Sequence, residues 1–141
     1  MIERTATAEW SGGFKAGEGR IEMSGGRFKE VYTAAGRFGD GATTNPEELL
    51  AAGHAACFSM ALSKALEDAG HPPRQIKTDA TVKLEKVKDG FAITTINLQT
   101  EVAVAEVAPD TFQQLAETTK QDCPVSKVLS GCDIKLSARL V

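Results

Sequence analysis

Cys57, Cys123 and Cys132 are the residues of this chain best suited to covalent chemistry. The thiolate, not the thiol, attacks electrophiles and binds metals, so each cysteine is judged by what would ionise it. Cys57 sits inside the apolar run HAACFSMAL. Desolvation there disfavours the thiolate, and the default reading is an inert core cysteine. It becomes reactive only if a fixed cation reaches it. Arg37, in the loop ahead of this run, is the candidate cation. A buried arginine needs an anion in turn, and Glu47 is available. Cys123 precedes Pro124 at an expected helix start, where N–H groups and the helix dipole favour a thiolate. A half-buried position reached by chance accounts for it equally well. Cys132 is in phase with an apolar face and reads as a small core hydrophobe.

His54 and Cys57 form an HxxC pair one helical turn apart. Cys123 and a carboxylate would complete a zinc site, but such sites normally announce two paired ligand clusters. The second cluster is missing, so a satisfied buried or interfacial histidine is favoured and no metal is expected. His71, beside Pro72, reads as a surface loop residue.

The element that must position Cys57 runs from Thr44 to Gly70. Asn45 is a natural cap, Pro46 suits the first helical position, and Glu47 and Glu48 favour the positive end of the dipole. Gly70 stops the helix, and Pro72 and Pro73 prevent its continuation. Between Leu49 and Leu62 nearly every face is apolar or small, which predicts a helix buried all round. A small protein struggles to cover such a helix alone, which hints at a partner chain. Closely flanking charges, and an apolar run below the roughly 20 residues of a membrane span, argue against membrane insertion.

The other elements follow in order. Thr5–Trp10, Arg20–Met23 and Arg27–Tyr32 read as a glycine-punctuated antiparallel meander that cannot bury much alone. Ala34–Thr44 is an expected loop. Gln75–Val87 alternates cleanly, with Ile76, Thr78, Ala80, Val82 and Leu84 on one face. Lys88-Asp89-Gly90 is a hairpin turn. Phe91–Val104 returns, but its apolar phase switches from Phe91 and Ile93 to Ile96, Leu98 and Val102. A β-bulge near Thr94-Thr95 accounts for the switch. Pro109–Lys120 and a short segment from Cys123 or Pro124 to Leu129 read as helices, the second with Asp122 as cap. Cys132–Val141 is a last strand. Strands, a long helix, two strands, two helices and a strand make an α+β fold rather than a βαβ repeat.

A chain of 141 residues suits one domain with a real core, and 42% hydrophobic and 25% charged content is ordinary for a soluble protein. A net charge of -3 gives no reason to expect nucleic acid or acidic lipid as partner. The N-terminal MIERTATAEW has no apolar core of a signal peptide, so a cytoplasmic location is expected. Three cysteines in that compartment argue against a structural disulfide framework.

TNPEELLAAGHAACFSMAL followed by DCPVSKVL resembles the OsmC/Ohr family of osmotically inducible and organic-hydroperoxide-resistance proteins, and its OsmC branch more closely. The resemblance spans nearly the whole chain, including RFGDGATTNPEE and DGFAIT. It implies one OsmC-like domain over residues 1–141, with antiparallel sheets around a long central helix. It also implies an intertwined homodimer with active sites shared at the subunit interface. The activity implied is a cysteine-based peroxidase that prefers organic hydroperoxides to hydrogen peroxide. Cys57 would be the peroxidatic thiol and Cys123 the resolving thiol. Arg37 would hold Cys57 as thiolate, and Glu47 would orient Arg37. Cys132 matches no family motif. An external thiol would reduce the resulting disulfide, and no separate cofactor is implied. Phe38, Phe58 and Met60 are candidates to line an apolar substrate pocket. Glu47 and Cys57 stand ten residues apart on one helix, roughly 15 Å along its axis. If one Arg37 serves both, the hypothesis is that Glu47 comes from the partner subunit. The competing reading is a binding or structural protein of the same fold with inert thiols.

Overall fold

Glycine-rich breaks at Gly12-Gly13 and Ser24–Gly26 turn the first third of the chain back on itself twice. The computed structural model describes residues 1–141, which divide into two units, Met1–Leu49 and Leu50–Val141. In the first unit, β1 (Ala6–Ser11), β2 (Glu18–Met23) and β3 (Lys29–Tyr32) form an antiparallel sheet in the order β1-β2-β3. This is the expected meander. β3 starts later than the sequence suggests, because the Met23 N–H closes the turn onto the Phe28 carbonyl at 3.0 Å. Gly19 lies opposite both Trp10 and Tyr32 in the ladder. A Cβ there would fall 2.2 Å from the Tyr32 ring, so glycine lets the Trp10 and Tyr32 rings approach to 5.4 Å. Every residue of β1 stays exposed, and the meander buries little, as expected.

The expected loop after β3 contains a wide helical turn over Gly36–Asp40. Its entry is set by Thr33, whose hydroxyl accepts from the Gly36 N–H and whose carbonyl accepts from the Arg37 N–H, both at 3.0 Å. Gly36 has no room for a side chain, since a Cβ would sit 2.0 Å from the Thr43 hydroxyl oxygen.

Helix α1 (Pro46–Asp68) begins in this unit and runs into the next. The Asn45 side-chain oxygen accepts from the Glu48 N–H at 2.8 Å, the expected N-cap. At the other end Gly70 takes φ +86. The Gly70 N–H then bonds the Glu67 carbonyl and the His71 N–H bonds the Leu66 carbonyl, at 2.9 and 2.8 Å. This pair of bonds is a Schellman stop.

In the second unit, α1 packs on a sheet of β4 (Gln75–Val87), β5 (Gly90–Ala103) and β6 (Asp133–Leu140). β4 and β5 pair antiparallel across the expected turn. Their register slips where Lys83 faces Thr95 and Leu84 faces Ile93, so Thr94 is the extra residue of the expected bulge. β6 joins β5 in parallel, which corrects the expectation of antiparallel sheets. The reason is the connection: α2 (Pro109–Asp122) and α3 (Pro124–Val128) supply the long crossover that parallel strands require.

The core of this unit is built from Phe58, Leu62 and Leu66 of α1, Ile96, Leu98 and Val102 of β5, and Phe112 and Ala116 of α2. Thr78 Oγ1 links the layers, bonded to Ser59 Oγ at 2.8 Å and Thr100 Oγ1 at 2.9 Å. The α1 residues buried here, with His54, recur every four positions and form one row. Ala52, Gly53, Ala56 and Met60 stay exposed, Met60 at 76%. The expectation of a helix buried all round is therefore corrected within the chain: one sheet covers one face. On length and composition alone α1 could cross a membrane, but its buried row belongs to the core on β5.

Candidate active site

The first unit holds an ion pair. Arg37 follows Gly36 in the helical turn, and Glu47 occupies the first turn of α1. The Arg37 Nη2 donates to Glu47 Oε1 at 2.7 Å, and its Nε donates to both carboxylate oxygens at 3.2 Å. Such a fork fixes the guanidinium plane as well as its charge. Glu47 is buried, while about a third of the Arg37 side chain remains open. The guanidinium also lies over the Phe38 ring at 5.1 Å, and Phe38 meets Phe14 at 6.1 Å. The sequence pairing of Arg37 with Glu47 is thus present within a single chain.

The second unit holds a pair of thiols. Cys57 lies on α1 one residue before the buried row, half-buried, whereas Cys123 is 1% exposed. Cys123 occupies the junction of α2 and α3, and Asp122 ends α2 instead of capping α3 as expected. The two sulfurs are 2.9 Å apart. Burial pushes the Cys57 thiol up and the neighbouring Cys123 sulfur adds to this, while the Val125 N–H pulls it partly back. Cys123 is buried as well, but interactions from Cys57, from the Ser126 and Val125 N–H groups and from the Ser126 hydroxyl outweigh that and hold it below the usual thiol range. The line between the sulfurs allows either thiol to donate.

His54 lies one turn before Cys57 and is fully buried. Its Nε2 is 2.7 Å from Ser126 Oγ. That contact and the pairing of the two sulfurs engage the atoms that a zinc reading would assign as ligands, and no cluster of three such side chains is placed to hold a metal. Ser126 escaped the sequence reading. Its signal was the hydroxyl three residues after Cys123 in DCPVS, where a helix folds it back toward its first turn. Cys132 packs against the core and donates to the Leu129 carbonyl at 3.2 Å, with burial pushing its thiol up. Phe58 lies wholly in the core, so it does not line a substrate pocket; this corrects its candidacy. Phe38 and Met60 remain on the surface.

Residues 39–137 match the model of the OsmC family, described as OsmC-like protein. The chain is 46% identical over 131 residues to the peroxiredoxin OsmC of Escherichia coli K12, covering 92% of each chain.

This chain belongs to the OsmC family.

An organic hydroperoxide resistance protein of Xanthomonas axonopodis pv. citri is 35% identical over 97 residues, which are 68% of this chain and 65% of that one. Among solved structures, an organic hydroperoxide resistance protein OsmC of Legionella pneumophila superposes over 100% of both chains with a TM-score of 0.78 at 26% identity. The α+β architecture is therefore that of OsmC and Ohr crystal structures. Membership gives the thiol pair of this OsmC-family chain its context: a half-open sulfur in contact with a buried one.

Proposed function

We propose that this OsmC-family chain is a thiol-dependent peroxidase that reduces organic hydroperoxides, and hydrogen peroxide more weakly, in oxidative or osmotic stress defence in the cytoplasm. The observation that carries it is the 2.9 Å approach of Cys57 to Cys123, with Cys57 the more open of the two. The relatives' names, peroxiredoxin and organic hydroperoxide resistance protein, support the same chemistry.

The Cys57 thiolate attacks the terminal, hydrogen-bearing oxygen of the hydroperoxide. The O–O bond breaks, the alkoxide takes a proton and leaves as alcohol, and Cys57 becomes a sulfenic acid. Cys123 then condenses with it to a disulfide, and an external thiol restores both sulfurs by exchange. The step needs a cation, since burial and Cys123 both hold the Cys57 thiol up in the single chain. Arg37, held in plane by Glu47, is the cation assigned here. Because Glu47 already holds the Arg37 of its own chain, and a further ten residues of α1 lead to Cys57, the pair is assigned to Cys57 of the partner subunit. Glu47 and Arg37 then cross to the partner together, in an intertwined homodimer of two OsmC-like domains with shared sites. The exposed Ala52, Ala56 and Met60 face of α1 and the uncovered meander support that assembly.

The test is peroxide consumption with dithiothreitol as reductant, comparing cumene hydroperoxide with hydrogen peroxide. Fast organic turnover in wild type, abolished in Cys57→Ser, is expected. No turnover by fully reduced wild type would return Cys57 to an inert core thiol.

A further inference from the structure

Helix α3 is the least secured element beside the two sulfurs. Its five residues are too few to hold a helix by themselves in water. Ser126 is its one buried residue. Val125 is half-buried, while Pro124, Lys127 and Val128 are exposed, Val128 at 82%. Beyond it Leu129 rests on the core, and Ser130 and Gly131 are exposed. Lys120, Lys127, Ser130 and Ile134 line an open depression of about 370 Å³ alongside, so α3 has no packed cover on that side. Yet Cys123, the residue from which α3 starts, is only 1% exposed.

The one buried residue of α3 is held from α1. His54, 0% exposed, places Nε2 2.7 Å from Ser126 Oγ. Its Nδ1 is buried with no hydrogen-bond partner. A buried N–H without an acceptor is a costlier orphan than a bare lone pair, so the ring hydrogen sits on Nε2 and is donated to Ser126 Oγ. An imidazole with one unused nitrogen fills a core less well than an apolar side chain does. What it adds here is the bond to Ser126. The spacing matches on both sides: His54 and Cys57 are three residues apart on α1, as are Cys123 and Ser126 across the start of α3. His54 meets Ser126 at 2.7 Å, and Cys57 meets Cys123 at 2.9 Å. Thiols are weak donors and weak acceptors, so the stronger of these two fastenings is the one through His54.

We propose that the His54–Ser126 hydrogen bond is a latch: it fastens α3 onto α1 and thereby keeps Cys123 covered and against Cys57. The consequence for reactivity is selective. A reagent or peroxide from solvent reaches the half-open Cys57, whereas it reaches Cys123 only when α3 lifts. The latch rests on the reading that Cys57 meets the peroxide and Cys123 follows. His54 and Ser126 are positioning residues in this scheme; neither touches the peroxide.

The experiment is amide hydrogen exchange on reduced, full-length protein, paired with iodoacetamide labelling read separately at Cys57 and Cys123 by peptide mass. The reporters in α3 are the Lys127 N–H, bonded to the Cys123 carbonyl at 3.0 Å, and the Leu129 N–H, bonded to the Val125 carbonyl at 2.9 Å. In Ser126→Ala and His54→Phe these amides are expected to exchange roughly three- to tenfold faster, the worth of one neutral hydrogen bond. Labelling of Cys123 rises with them, labelling of Cys57 does not, and the amides of β5 keep their wild-type rates. The double variant opens no faster than the faster single one, because both remove the same bond. His54→Gln, which keeps an N–H donor, recovers part of the protection. Wild-type exchange in α3 of both single variants would overturn the latch. So would acceleration of β5 by the same factor as α3, which would reduce the bond to general stability. If His54→Phe does not fold, Ser126→Ala decides alone by the same criteria. No peroxide enters this experiment, so its failure is separate from that of the peroxidase reading, which turnover in Cys57→Ser judges.

Discussion

At the scale of single residues, the chemistry turns on where one proton sits. Cys57 and Cys123 lie 2.9 Å apart, and within the chain burial and the neighbouring sulfur push the Cys57 thiol up, while the Cys123 thiol is held down. Peroxide attack needs Cys57 as the thiolate, and a cation beside it favours that form. Arg37→Ala should therefore move the pH profile of Cys57 alkylation upward and slow peroxide reduction at neutral pH. An unmoved profile would point to another cation. His54 makes a separate prediction about stability. Burial holds its folded pKa below the unfolded value of 6.5. The unfolded chain thus binds the proton first, so the contribution of the neutral imidazole is complete above that value. It declines as pH falls from there toward the lower folded pKa. Thermal melts at pH 5 and 7.5 should show a smaller drop in His54→Gln than in wild type.

At the scale of elements, α1 is held by its ends and by one face, and the magnitudes rank them. Asn45→Ala removes the cap bond to the Glu48 N–H and should cost about 1 kcal/mol. Leu62→Ala opens a void between α1 and β5 and should cost roughly 2–5 kcal/mol. Packing therefore outweighs capping, and urea midpoints of the two variants check the order. The bulge at Thr94 belongs to this scale as well. One extra residue moves Ile96, Leu98 and Val102 onto the face that α1 covers, after Phe91 and Ile93 have run in the other phase. The bulge was legible because a period of two tolerates no silent shift. The parallel pairing of β6 was not legible, because alternation along a strand carries no information about the direction of its neighbour.

At the scale of the molecule, α1 and the first sheet leave apolar side chains exposed. Met60 is 76% exposed in the middle of the longest helix, and the first sheet has almost no buried residue. Met60→Glu places a charge on that surface. It should shift the proposed dimer toward monomer in sedimentation, and peroxidase activity should fall with the dimer if the sites are shared. A monomeric wild type with full activity would refute the shared site.

Much of this protein is written locally. Caps, stops, the hairpin turn and the bulge depend on neighbours within a few residues, so Asn45, Gly70, Gly90 and Thr94 could be assigned in order along the chain. The pairing of Arg37 with Glu47 was legible for a related reason: a guanidinium held in a fixed place needs a carboxylate, and Glu47 was at hand in the first turn of the next helix. Cys57 and Cys123 stand 66 residues apart, and no spacing rule joins them; only the family resemblance pointed to their contact. Tertiary structure decided it, by laying the α2–α3 junction on α1. The same packing brought Ser126 to His54, and it turned one face of α1 to the sheet while leaving the other bare. Helical periodicity says which residues share a face; what that face meets depends on distant segments whose approach no local pattern encodes.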